Sequence, residues 1–438
     1  MDLDGQHRHL VNSPLKSRSI AIIGAGPAGL MAAERLITAG HRVTIYDRMP
    51  SPARKFLLAG RGGLNITHSE QLDHFLQRYG DAAEPVQRAI SAFPPEAIIA
   101  WVHGLGQETF TGSSGRVFPK AMKASPLLRA WLLRLDRSGV KLKTRHTFEG
   151  FAEGGDLKIS NPAGVLQTFS HDATILALGG ASWPKLGSDG SWVAPLSKAG
   201  IDITPLTASN AGVIIPWSDH VRQRFAGTPL KRIAITVDGV TARGEAVITA
   251  SGLEGGAIYA LSRHIRHALA SPAAFLTLDL RPDVTLPALA ERLGGGAKKD
   301  SLSNHLRKSA GLTPAQSALL RENGAKTSRD PPELARAIKN VVLPLAGLHG
   351  LERAISTAGG IALSELDHNG MLTALPGVFA AGEMLDWDAP TGGYLLTACL
   401  ATGAWAAGGV ERWLANSPAS RPENEAKSQI STNYSENR

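Results

Sequence analysis

A glycine-rich turn set between a strand and a helix restricts this chain more than any other feature. Ser19-Ile-Ala-Ile-Ile23 is a run of apolar, mostly β-branched residues of the kind that forms a parallel strand buried on both faces. Gly24-Ala-Gly-Pro-Ala-Gly29 follows at once, then residues 30–37 with helical spacing of apolar positions. A second strand, Val43-Thr-Ile-Tyr46, closes on Asp47, about 20 residues beyond the glycines, as a dinucleotide-binding fingerprint requires. Gly24 permits the tight turn, Gly26 lets backbone N–H groups approach a pyrophosphate, and Gly29 lets the helix pack close to the strand. The helix N-terminus faces phosphate charge, and Asp47 accepts from ribose hydroxyls. Gly24, Ala25, Gly26, Pro27, Ala28, Gly29, Asp47 and its neighbour Arg48 are therefore the first candidate cofactor residues.

The fingerprint alone does not separate NAD from FAD. Residues 53–67 put three glycines and several donors into one loop that can lay amides along an extended FAD. Lys55 and Arg61 are placed near phosphate, Gly62 and Gly63 along the backbone, and Asn65 and Thr67 near the ring; the alternative is a surface turn. Far along the chain, Gly377-Val-Phe-Ala-Ala-Gly-Glu383 reads as an apolar strand ending on glycine and an acid. Thr391-Gly-Gly-Tyr394 then leads into an Ala-rich helix. The pair predicts that Gly382 and Glu383 meet the ribityl or pyrophosphate region. A helix starting near Gly393 turns its positive end to the flavin, with Gly392, Tyr394 and Leu395 beside it. A third strand, Thr174-Ile-Leu-Ala-Leu-Gly-Gly180, passes beneath the cofactor and contributes Gly179, and Phe148 joins the same set.

Composition removes several alternatives. Of the 438 residues, 43% are hydrophobic, which suits a packed core of two or three domains. No stretch approaches the roughly 18 uninterrupted apolar residues of a membrane span. Residues 1–17 read as a disordered leader without a signal-peptide core, and residues 415–438 as a disordered tail. With one cysteine, Cys399, the chain has no disulfide framework and no dithiol pair for disulfide reductase chemistry, which suits the cytoplasm. No metal site is expected. The net charge of +8 is not concentrated in an aromatic-interleaved cluster, so nucleic acid is not the expected partner. The oligomeric state is left open.

Between residues 191 and 348 prolines punctuate short alternating runs such as Arg232-Ile-Ala-Ile-Thr-Val237 and Phe275-Leu-Thr-Leu-Asp-Leu280, with helices expected near residues 288–292 and 331–342. Gly294-Gly-Gly-Ala-Lys-Lys299 lacks a preceding strand and reads as a loop, so no dedicated nicotinamide domain is expected and NAD(P)H would visit the flavin transiently. The fold expected is α/β. An FAD-binding Rossmann domain of the glutathione-reductase type, residues 18–190 with 349–414, is interrupted by a β-rich insert at 191–348. Because flavin performs the hydride step, the protein need only orient substrate and supply a proton. Arg116, Lys120 and Lys123 are candidates for holding an anionic substrate, and Tyr394 for donating the proton. The loop 56–65 has no histidine for a covalent flavin link; His68 lies just beyond it, and noncovalent FAD is expected.

Taken with Gly115-Arg-Val-Phe-Pro119, Lys123-Ala124, Thr357-Ala-Gly-Gly360 and Ala381-Gly-Glu-Met-Leu-Asp386, these motifs make residues 18–409 resemble the BaiN-like (YhiN-like) bacterial NAD(P)/FAD-dependent oxidoreductases. The resemblance implies an FAD domain made from both chain ends, a β-rich insert, and reduction of carbon–carbon double bonds in a small molecule. The sequence departs from the family where Leu64 replaces a cysteine, Ala250 a histidine and Leu395 an asparagine, which looks like a distinct subfamily. A flavin monooxygenase, a flavoprotein acting on tRNA and an FAD-binding module without turnover remain as other readings.

Overall fold

The computed structural model describes residues 17–80, 83–295, 301–322, 328–417 and 427–428. Five parallel strands form its centre: β1 (Ser19–Ile23), β2 (Arg42–Asp47), β3 (Lys141–Thr144), β4 (Ala173–Leu176) and β5 (Val378–Ala380). Their order across the sheet is β5-β4-β1-β2-β3. Every residue of β1 is buried, as its unbroken apolar run requires in a sheet covered on both faces. Helix α1 (Pro27–Thr38) starts with Gly26 at its N-cap and proline at its first position, where the missing N–H removes no bond.

The far end of the chain completes this sheet. β5 pairs with β4 in parallel, and helix α3 (Tyr394–Ala415) packs on α1, with a short helix α2 (Arg54–Ala59) between them in sequence. A Cβ on Gly403 would lie 2.2 Å from the Ala28 carbonyl oxygen, so the two helices cross at backbone contact. Only glycine fits there.

A second core lies in the insert. Seven antiparallel strands run in the spatial order Val341–Pro344, Phe275–Asp279, Pro229–Val237, Val240–Thr249, Gly252–Glu254, Val213–Ile214 and Gly347–Leu348. Helices Leu286–Gly294, Leu302–Ala310, Pro314–Leu319 and Pro331–Lys339 bury their apolar faces in the same core. The passage between the cores is an antiparallel pair, Ile203–Ser209 with Ser356–Ile361.

Two expectations are revised. The helix expected over 331–342 stops at Lys339, because Val341-Val-Leu-Pro344 is claimed as an edge strand of the insert sheet. The first core also takes in Trp192, Leu196 and Ile201. The glycine-rich segment 53–67 opens as helix α2 behind Ala53, which has a left-handed backbone. The leader (except Ser17), residues 296–299 of the lysine-bearing loop and most of the tail lie outside the described residues; Lys427–Ser428 pairs with strand Leu166–Phe169. No helix among the described residues is long and apolar enough to cross a membrane.

Candidate active site

At the carboxyl ends of β1, β2, β4 and β5 lies a cavity of about 490 Å³. This is where open α/β sheets bind ligands. Its wall comes from both ends of the chain. The first contributes Gly24, Gly26, Pro27, Ala28, Asp47, Arg48, Lys55 and Asn65. The second contributes Gly382, Glu383, Gly392, Gly393 and Leu395, while Phe148 and Gly179 close the side between them. A Cβ on Gly26 would meet nothing within 4 Å. That glycine leaves open space in the cavity wall, where backbone can approach a ligand. Gly24 is different: at φ +104° its added Cβ would strike the Ala177 carbonyl oxygen at 2.3 Å.

Charge in the cleft is arranged in pairs. Asp47 accepts from the N–H groups of Ala25 and Met49, each at 2.7 Å, so it ties the turn down from the end of β2. Burial drives its carboxyl above the ordinary value, against those two hydrogen bonds and nearby Arg48 and Arg54. The Lys55 ammonium donates to Glu383 Oε2 and Ser182 Oγ at 2.7 Å and to Ser188 Oγ at 3.3 Å. The Glu383 side chain is only 8% exposed, and its other oxygen accepts from Thr357 N–H at 3.0 Å. Arg48 pairs with Asp189 at 2.7 Å. Three buried polar atoms of the wall residues, Arg48 Nε, Asn65 Oδ1 and Asn210 Oδ1, have no partner among the described residues.

Helix α3 begins at the cleft with Gly393 in the left-handed region, φ +104°, and no side-chain cap. A Cβ there would lie 2.6 Å from Thr67 Cα. The free N–H groups of the first turn, with the helix dipole behind them, present positive charge to whatever occupies the cavity. Tyr394 turns the other way. Its hydroxyl donates to Glu70, and its ring stacks with His68 at 5.5 Å. Burial, then the Glu70 carboxylate, raises the phenol well above its ordinary value. Glu70 is pushed up by burial, but hydrogen bonds from Arg78 and Tyr394 outweigh this and hold it below the usual carboxylate range.

A family model described as HI0933-like protein Rossmann domain matches residues 18–409. The chain belongs to this family. The HI0933-like chain is 26% identical to the 3-dehydro-bile acid delta(4,6)-reductase of Clostridium scindens over 405 residues, covering 88% of this chain and 97% of that protein. It is 24% identical to the ribosomal RNA dihydrouridine synthase of Escherichia coli over 396 residues, 85% of this chain and 93% of that protein. Among solved structures, the open conformation of a flavocytochrome c3 fumarate reductase matches 92% of this chain and 79% of its own at TM-score 0.50 and 15% identity. The 3-ketosteroid delta1-dehydrogenase from Sterolibacterium denitrificans, in complex with 1,4-androstadiene-3,17-dione, matches 92% and 100% at TM-score 0.50 and 13% identity. These two show the fold, a Rossmann-type FAD domain carrying a second domain. The open glycine at position 26 and the unpartnered wall atoms fit FAD as an occupant of this cavity.

Several expected site residues stand elsewhere. Ala25 and Gly29 lie behind the turn; a Cβ on Gly29 would sit 2.0 Å from the Gly24 carbonyl oxygen. Arg61, Gly62 and Gly63 are outside the cavity wall, because their loop folds back on residues 118–124: Gly60 packs on Ala124 and Gly63 on Met122. Thr67 is fully buried and bonded to Thr397 Oγ1 at 2.8 Å. Lys123 is exposed at the N-cap of helix Ala124–Arg137, away from the cavity, and exposed Lys120 pairs with Glu108. Tyr394 is also outside the wall, its hydroxyl taken by Glu70. Arg116 is half-buried, with its Nε 3.4 Å from the position a Cβ on Gly392 would take. Sequence reasoning missed Arg54, Trp183, Trp192 and Asn210, all in the wall. Arg54 was signalled by its place beside Lys55; the others arrive on segments whose approach no local pattern announces.

Proposed function

We propose that the chain reduces an activated carbon–carbon double bond of a small molecule, through noncovalent FAD that NAD(P)H reloads from solution. One observation carries this reading: the turn at 24–28 and the glycine pair 392–393, more than 360 residues apart in sequence, wall a single cavity. FAD, when bound, supplies the two-electron hydride chemistry such a reduction needs. The chain's own part is positioning. The turn and the first N–H groups of α1 would take the pyrophosphate, with Arg54 and Lys55 at hand, and Asp47 the ribose. Gly392 and Gly393 line the cavity where the ring would lie, and the N-terminus of α3 would stabilise negative charge there.

For an anionic substrate group, the geometry favours Arg116, beside Gly392, over Lys120, which pairs with Glu108, and Lys123, which is exposed away from the cavity. No hydrogen bond or ion pair engages the Arg116 guanidinium among the described residues, whereas the Tyr394 hydroxyl is committed to Glu70. Tyr394 then acts as a positioning residue for the Gly392-Gly393 turn. The Clostridium scindens relative is named a reductase and the Escherichia coli relative a dihydrouridine synthase, and both names describe saturation of an unsaturated ring. The second name, with the charge of +8, supports a secondary reading in which the substrate ring belongs to RNA.

The experiment is anaerobic stopped-flow reduction of the purified protein by NADH and NADPH, followed by mixing with conjugated enones. Reduction followed by enone-dependent reoxidation is expected. Reoxidation only by oxygen, with a hydroxylated product, would replace the reading with a monooxygenase. Acid precipitation should release the yellow colour to the supernatant. An RNA substrate would show itself as binding that weakens steeply with salt.

A further inference from the structure

The cleft wall includes one buried amide, Asn210, whose side-chain oxygen the fold leaves unused among the described residues. Asn210 follows the outgoing strand Ile203–Ser209, where the chain passes to the insert, and it is 2% exposed. Its backbone sits at φ +50°, a region that a non-glycine residue occupies at a cost. Its amide nitrogen donates to Ser356 Oγ at 2.7 Å and to the Ala389 carbonyl at 2.8 Å. A carbonyl can only accept, so the amide cannot be turned round, and the oxygen of Asn210 is identified by chemistry. That oxygen, Oδ1, has no partner among the described residues.

Three separate segments converge on this residue. The Asn210 N–H donates to Ser262 Oγ at 2.9 Å from an insert helix, and its carbonyl accepts from Ile355 N–H on the returning chain. Ser356 and Ala389 belong to the cofactor domain side. The ion pair Arg266–Asp388 is closed on itself and further tied by Ser209, which donates to Asp388 and accepts from Arg266. Every hydrogen-bond partner of Asn210 among the described residues is a neutral group. Ile355, Pro390 and Thr391 are wall residues beside it.

A buried acceptor held in a strained backbone and left unpaired destabilises a protein, and such groups concentrate where a ligand completes them. We propose that Asn210 is a specificity-determining residue of the substrate site, whose Oδ1 accepts a hydrogen bond from a neutral hydroxyl or ring N–H of the substrate. This rests on the reductase reading above and names the chemistry its substrate presents on the insert side: a donor. A substrate offering only carbonyl or carboxylate oxygens at that point would leave Asn210 unpaired and meet like-signed partial charge.

The test uses FAD-loaded protein reduced anaerobically with dithionite, which removes any dependence on the nicotinamide donor. Two matched pairs serve as probes: testosterone with its 17-O-methyl ether, and uridine with N3-methyluridine. Each pair differs only in the donor. Wild type is expected to prefer the donor-bearing member of one pair by on the order of 10- to 100-fold in kcat/KM, the usual penalty for leaving a buried polar group unmatched. Asn210→Ala should treat both members alike. Asn210→Gly, which accommodates the positive φ, gives the same comparison should the alanine variant fold poorly, and retained flavin absorbance reports folding. Discrimination that survives in both variants, or is absent in wild type, overturns the role of Asn210 and leaves the reductase reading standing. Reduced flavin that none of the four compounds reoxidises overturns the reaction itself, and this assignment with it.

Discussion

Two glycines three residues apart give opposite expectations, and their comparison tests the cofactor geometry. Gly26 has φ −82°, ordinary for any residue, and an added Cβ there meets nothing within 4 Å. Gly26→Ala should leave the fold almost intact, losing up to about 1 kcal/mol as an inferior N-cap. The new methyl occupies the space through which backbone N–H groups approach the pyrophosphate. Losing one or two hydrogen bonds to a charged group costs about 1.5–3 kcal/mol each, so FAD affinity should fall on the order of 10- to 100-fold. Gly29→Ala puts its methyl 2.0 Å from the Gly24 carbonyl oxygen, against an ordinary contact beyond 3.4 Å. The turn or α1 must move by more than 1 Å, as the difference between those distances requires. Overpacking of this kind costs about 1–3 kcal/mol, partly offset by the roughly 1 kcal/mol that alanine gains over glycine in a helix. A melting point lower by up to about 8 °C is expected for apo Gly29→Ala. Flavin-fluorescence titration and apo-protein thermal melts read the two effects separately. Should Gly26→Ala bind FAD as tightly as wild type, or destabilise the apo fold as much as Gly29→Ala, the placement of the pyrophosphate at this turn is wrong.

Other outcomes follow from the buried charges. Lys55→Met and Glu383→Gln each strand a partner in the cleft, so the double variant should melt higher than the additive sum of the single losses by about 1–2 kcal/mol, reduced from a fully buried pair because Lys55 keeps a 24% exposed side chain. Burial pushes the Cys399 thiol up to about 12, so it should stay silent to a thiol reagent at pH 8 in the native protein and react fully in guanidinium. Glu70 has a folded pKa below its unfolded value, so its stabilisation is present above about pH 4.3 and is lost as pH falls through the lower folded value. The melting-point gap between wild type and Glu70→Gln should therefore shrink between pH 6 and pH 3; a gap that widens reverses the sign and removes the Arg78 and Tyr394 bonds from the account.

What could be read from the sequence divides along physical lines. β1, the turn, α1, β2 and Asp47 were legible because each leaves a local pattern of burial on both faces, obligatory glycine or helical spacing. The lead-in to α3 was legible for the same reason, since Gly393 must adopt a positive φ beneath Thr67. Orientation was not. Whether Tyr394 faces the flavin or Glu70 depends on a carboxylate more than 320 residues earlier, which no window around Tyr394 contains. Arg61 reads as a phosphate ligand in isolation, yet the packing of Gly60 on Ala124 sends its loop elsewhere. The strand Val341–Pro344 was hidden because a helical pattern runs into it, and only its partner Phe275–Asp279 decides its conformation. Asn210 leaves no signal at all: its neighbours Ser262, Ser356 and Ala389 are brought to it by the insert's return.

The antiparallel pair linking the cores also bears on how this architecture diversifies. The outgoing strand and the returning strand lie side by side, with Ser209 opposite Ser356, so the insert starts and finishes at neighbouring points. A module attached in this way can be exchanged for another of different length or shape, provided the new one presents its ends at the same spacing. The central sheet, the glycine turn and helix α3 need not change when that happens. A graft of an insert from a relative of different specificity, joined at Ser209 and Ser356, requires only two splice points.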